Sequence, residues 1–388
     1  MTDRFERLHQ AMAARVAKGE LPGLVTLVDR AGEVRVDPIG VKDSGGTEPM
    51  RRDTVFRIAS MTKPVLAVAT MLLVEDGRLA LDEPVDRLLP ELAGRRVLRR
   101  IDGPLDETVP AHRPITVEDL LTFRMGYGMV VEPTFEPPYP VITAAAELGL
   151  VMGPPDPRTT HAPDEWIRRF ATLPLMYQPG ERWQYNAGAL VLGVLVARAA
   201  GQSLPEFFRS RLFAPLGMAH TGFSLTARDA ARLPGHYAMN AETGALERSA
   251  VSAPEEWTEP PVFPAGSAGL ASTVDDYLAF ARLLRDRGRY PGGRLLSEHS
   301  VELMTTNQLT PRQRAEGGPL LARQGWGYGM AVSVEPDEIS PVPGRYGWYG
   351  GYGTSWFTDP HQDLIAIALT QTSDFLFNGA VEEFRRLA

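Results

Sequence analysis

The order of patterns along the chain predicts an α+β fold. Three observations carry that prediction: strand-like runs lie near both ends, helical and all-apolar runs fill the middle, and an amphipathic helix closes the chain. Such an order implies two chain ends sharing one sheet, with a mainly helical part between them and a cleft where the two meet. A chain of 388 residues with 44% hydrophobic content is long enough for two domains, or for one with a large insertion. The expected division is 1–75 with 265–388 for the sheet part and 76–264 for the helical part.

The first segment, "MTDRFERLHQAMAARVAKGELPG", is charged and amphipathic at helical spacing. "GLVTLVDRAGEVRVDPIG" then alternates about Ala31-Gly32, the mark of strand, turn and strand. From Lys63 to Gly77, "KPVLAVATMLLVEDG" is apolar nearly all round and stops at a glycine, as a buried helix does. "ITVEDLLTF" and "AGALVLGVLVARAAG" are the clearest helices of the middle. Between them, residues 129–163 are proline-rich and weakly periodic, which predicts a lid or pocket wall. Strands return in "WGYGMAVSVE", "RYGWYGGYGTSWFTDP" and "LIAIALTQT", before the final helix "NGAVEEFRRLA".

Charge and composition narrow the function. A net charge of -8 without a long basic run argues against nucleic acid or an anionic membrane as partner, and favours a small neutral molecule. Cysteine is absent, which excludes disulfides, thiolate catalysis and cysteine-ligated metals and leaves the redox compartment open. The N-terminus lacks the apolar core of a secretory signal and no 18-residue apolar run suggests a span, so a cytoplasmic protein is expected. The seven histidines are scattered without metal-ligand spacing, and no metal or cofactor is implied.

"FRIASMTKPV" holds Ser60 and Lys63 three residues apart at a helix start. Residues so spaced share a helix face, so the hydroxyl and the amine can meet. An ammonium there opposes the macrodipole and loses solvation, and both effects lower its pKa toward that of a base. The plainer alternative is a helix cap, with Lys63 solvated and Pro64 in the first turn. Two more features bear on the choice. Tyr185 sits at a turn feeding the long apolar helix, and an aromatic strand meets four glycines between Gly347 and Gly353, where backbone or substrate can approach closely.

Taken in order and spacing, the Ser-x-x-Lys at Ser60, "ITVEDLLTFRMGYG", "PGERWQYNAGALVLG", "LFAPLGMAHTGF", "AGLASTVDDYLAFARLL" and "GWGYGM" resemble the serine β-lactamase and penicillin-binding protein superfamily. Its class C-like branch, with the family VIII carboxylesterases, is the nearest part. The resemblance implies a β-lactamase/transpeptidase-like fold, an antiparallel sheet flanked by helices beside a helical domain. It also implies a catalytic set of Ser60, Lys63 and Tyr185, with an oxyanion held by the amides of Ser60 and Gly351. Two departures stand out. Ala187 replaces the asparagine of the second motif, and Trp348-Tyr349-Gly350 replaces Lys-Thr-Gly, resembling the Trp-Gly-Gly of the esterases.

These departures remove partners for the amide and carboxylate of a β-lactam and favour an uncharged ester. Tyr127, Trp348, Tyr349, Gly350 and Tyr352 are then expected to line the acyl or alcohol pocket. Hydrolysis of short to medium acyl esters through an acyl-serine is the leading expectation. β-Lactamase or D-amino-acid peptidase, acyl transfer to an alcohol, and an inactive sensor that keeps the fold are the alternatives. A Ser-His-Asp hydrolase is not among them: the string Ala265 to Gly269 around Ser267 lacks the first glycine of a nucleophile elbow. Oligomeric state and the natural ester are not legible.

Overall fold

The computed structural model describes residues 2–130, 138–150, 160–249, 253–321 and 324–388. Its centre is a seven-stranded antiparallel sheet. The strands are β1 (Gly23–Arg30), β2 (Glu33–Gly40), β3 (Gln324–Trp326), β4 (Ala331–Ser333), β5 (Tyr346–Gly350), β6 (Thr354–Asp359) and β7 (Leu364–Thr370). Their spatial order is β3-β4-β5-β6-β7-β1-β2, so the N-terminal hairpin adds to an edge made by the C-terminal strands. Both chain ends therefore build one sheet, as the order of patterns dictates. The β1–β2 turn has positive φ at both Ala31 and Gly32, the mirror-image turn whose twist matches a hairpin.

Strand alternation sorts side chains onto two faces. On the rear face Leu24, Val28, Leu364, Ala366 and Phe357 pack against the terminal helices α1 (Thr2–Ala17) and α5 (Ala380–Leu387). On the front face Val25, Leu27, Ile365, Ile367, Trp348 and Trp356 join a larger core that continues into the helical middle. Three helices matter there: α2 (Thr62–Glu75), α3 (Ala187–Ala200) and α4 (Val274–Arg285). α2 is buried from Thr62 to Leu73, as a run apolar all round requires. α3 ends at Gly201 in the left-handed conformation, and Gly77 just beyond α2 also has positive φ.

Two expectations change. "WGYGMAVSVE" is not one strand: it breaks between β3 and β4, where Gly329 turns at φ +73° with its Cα so close to the Lys63 backbone that a Cβ would sit 2.7 Å from the Lys63 carbonyl. Within the lid range 129–163, Pro140–Glu147 is a helix, favoured by its alanine run and the proline at its start. Residues 131–137 and 151–159 of that range lie outside the described residues. The division at 75/76 and 264/265 stays a working proposal. No single helix among the described residues is long and apolar enough to cross a membrane.

Candidate active site

Ser60 lies in a single 3-10 turn, Ala59–Met61, that runs directly into α2. Ala59 just before it is held at φ +43°, a conformation costly for a residue with a Cβ, which marks the turn as over-determined by its surroundings. Those surroundings can be named. Thr354 Oγ1 donates to the Ile58 carbonyl at 3.2 Å, the Tyr277 hydroxyl donates to the Met61 carbonyl at 3.0 Å, and the Leu270 amide donates to Thr62 Oγ1 at 3.2 Å. Gly350 closes the turn from the sheet side; a Cβ there would lie 2.2 Å from the Ile58 carbonyl. The end of β5 thus abuts the nucleophile turn, and only glycine permits it. Gly351, the next residue, is exposed with open space about its Cα.

Lys63 Nζ is 2.9 Å from Ser60 Oγ and 2.7 Å from the Ser267 carbonyl. The lysine is 1% exposed, and this burial holds its pKa well below the ordinary lysine value. Nζ also lies 4.5 Å from the centroid of the Tyr185 ring, a contact that favours the charged form. Desolvation wins: a cation over a ring gains about 2 kcal/mol at best, whereas taking an ammonium out of water costs several. A neutral amine can donate to Ser267 and still offer its lone pair to the Ser60 hydroxyl.

The Tyr185 hydroxyl hydrogen-bonds to Ser60 and receives the Trp348 indole N–H at 2.7 Å. Burial pushes its pKa up to about 12, and the two hydrogen bonds pull against that rise. Its ring is enclosed by aromatic neighbours: Phe123 at 5.8 Å, Trp183 at 5.8 Å, Trp326 at 6.3 Å and Trp348 at 5.5 Å. Asn186 follows at φ +80°, so the chain turns sharply before Ala187 opens α3.

The structure distributes the remaining candidates unevenly. Tyr352 is buried against Ala59 and Ala268, with its ring 4.7 Å from His236, and so stands beside the nucleophile turn. Trp348 faces the site, but as a donor to Tyr185 rather than as a bare wall. Tyr349 does not face it: on β5 it alternates to the rear, where the Arg385 guanidinium covers its ring at 4.9 Å. Tyr127 is turned into the helical core, edge-on to Phe170 at 5.1 Å with its hydroxyl 3.4 Å from the Val141 carbonyl. Both tyrosines were expected in the pocket because glycine-flanked aromatics suggest one; strand parity and helix packing decided otherwise. The Ser267 carbonyl, Trp326 and Phe123 were not singled out, since a backbone acceptor and ring packing carry no local sequence signal. Beside Tyr185, Met129, Tyr177, Arg182 and Gln184 surround a cavity of about 110 Å³. Among the described residues no group of histidine and acidic side chains could hold a metal ion.

Comparison with known proteins agrees with this fold. Protein Rv1367c of Mycobacterium tuberculosis is 40% identical over 364 residues, covering 91% of this chain and 86% of the relative. Esterase EstB of Burkholderia gladioli is 31% identical over 385 residues, covering 95% and 90%. Among solved structures, EstCE1, described as a hydrolase with promiscuous acyltransferase activity, superposes with a TM-score of 0.83 at 25% identity, covering 100% of this chain and 98% of that one. The family model "Beta-lactamase" matches residues 8–387, and the chain belongs to that family.

Proposed function

We propose that this protein is a serine esterase that cleaves short to medium acyl esters through an acyl-serine intermediate. One observation carries the reading: a partly buried serine hydroxyl meets a desolvated amine at 2.9 Å and a buried phenol, and that phenol is held by Trp348. The esterase relative supports it.

Ser60 Oγ would attack the ester carbonyl, forming the acyl C–O bond as its proton passes to the coupled Lys63–Tyr185 pair. The depressed lysine and the elevated tyrosine favour the neutral amine as acceptor and the phenol as relay, although the pair titrates as one unit. The amides of Ser60 and Gly351 would hold the oxyanion, a role in which loss of one donor costs about 10² to 10³ in turnover. Collapse breaks the bond to the alkoxide, which takes the proton and leaves. Water then attacks the acyl-enzyme, giving up a proton to the same pair and releasing the acid and Ser60.

Trp348 tells against β-lactams. An indole offers one donor, already spent on Tyr185, and no counter-charge for the substrate carboxylate. A second reading, transfer of the acyl group to an added alcohol, is supported by the activity described for EstCE1. Hydrolysis of p-nitrophenyl butyrate and of nitrocefin, each with and without an alcohol acceptor, separates the three. A kcat/KM for nitrocefin equal to that for the ester would overturn the esterase reading.

A further inference from the structure

The rear of the sheet holds a buried cation that no catalytic step uses. Arg385 of α5 is 8% exposed, and its guanidinium lies 4.9 Å from the Tyr349 ring and 5.1 Å from the Phe357 ring. Its Nε is sealed from solvent without a hydrogen-bond partner. Its pKa is lowered to about 9, chiefly by burial, with Arg345 adding to the fall and Asp337 opposing it, and no hydrogen bond to a carboxylate contributes. Asp337, the acid that raises it, is committed through both oxygens to Arg345.

Arg385 opens onto a cavity of about 420 Å³ with Tyr349, Ile339 and Gly379 in its walls. Most of the other charged groups around it are already engaged with one another, and carboxylates outnumber cations among them. Arg15 is paired with Glu20 and Glu383, Asp337 with Arg345, and Arg386 stands with Glu338 and Glu382 at the rim. The Arg385 guanidinium itself is flanked by two rings and has no carboxylate hydrogen-bonded to it. A guanidinium keeps its charge on burial and pairs best with a planar, two-oxygen acceptor. The rim carboxylates disfavour any ligand that brings more than one negative charge.

We propose that this cavity binds a small monocarboxylate, its two oxygens on the Arg385 guanidinium and its apolar body over Tyr349 and Ile339. The site lies behind the sheet and does not depend on the catalytic reading. Sodium butyrate, titrated against sodium chloride at equal ionic strength and followed by thermal unfolding, tests it. The expected result is a saturable rise in Tm, on the order of 3 °C at a hundred times the dissociation constant. R385M should abolish the rise. R385K, which keeps the charge and loses the fork, should weaken the apparent affinity about 10-fold and decides the matter if R385M does not fold. A wild-type Tm that does not respond beyond chloride, or a response unchanged in R385K, overturns the proposal.

Discussion

Lys63 and Arg385 are two buried cations held in front of and behind the same strand, β5, and they have opposite fates. Each is buried, at 1% and 8% exposure, and each lies near an aromatic face. Burial drives the lysine toward its neutral form, in which Nζ, 2.9 Å from a serine hydroxyl, would have a lone pair to offer. The same burial lowers the arginine only to about 9, so it stays charged at neutral pH. Depth alone builds nothing; the side chain that is buried decides whether a base or an anion receptor results.

The comparison breaks first if the front is not a nucleophile site. Ser60→Ala should abolish ester hydrolysis while leaving the fold intact, because it removes the atom that forms the acyl bond. A fluorophosphonate followed by peptide mass spectrometry should label Ser60; a label at Ser267 or Ser355 sinks the assignment. Next in size, Lys63→Ala and Tyr185→Phe should each lower kcat by about 10² to 10⁴. Their double variant should be barely worse than either alone, since groups acting as a unit are not additive. If Tyr185→Phe keeps most of its turnover, the tyrosine is packing.

Trp348 sharpens the contrast at a smaller scale. Its indole N–H stabilises the Tyr185 oxygen, so Trp348→Phe should lower kcat about 10-fold, the worth of one well-placed hydrogen bond, with KM little changed. A raised KM at unchanged kcat would instead make the ring a pocket wall. Tyr349→Phe, one residue along and on the other face, should leave kcat within about twofold.

Those neighbouring aromatics also show what sequence patterns reach. The sheet was legible from both ends because alternation such as that of Leu24 to Val28 encodes two buried faces, and the buried α2 because its apolar run has no polar stripe. That Ser60, Lys63 and Tyr185 come together was legible by spacing and resemblance. Which of Trp348 and Tyr349 faces the nucleophile was not, since the parity of β5 is set by pairing with β6, Trp348 against Trp356 and Tyr349 against Ser355. Tyr127 was misplaced for a similar reason: its environment is made by Phe170 and Val141, each more than a dozen residues away.

The last effect is thermodynamic and probes the lysine without any substrate. Its folded pKa lies well below the 10.5 of an ordinary lysine, so between those two values the unfolded chain holds a proton that the folded chain does not. Stability must then rise with pH across that window, with a slope of at most about 1.4 kcal/mol per pH unit for one proton. Below the folded value both states are protonated and the lysine's contribution no longer changes with pH. Above about pH 10 the buried tyrosines act in reverse: Tyr185 and Tyr277 keep protons that the unfolded chain loses, so stability falls. Urea unfolding from pH 6 to pH 9.5 isolates the lysine when wild type and Lys63→Met are subtracted, because Arg385 and the tyrosines are common to both. The difference should favour the methionine variant at the acid end and shrink steadily as pH rises. A difference that stays flat across the window would mean that Lys63 remains charged, as Arg385 does, and the two faces of β5 would no longer differ in kind.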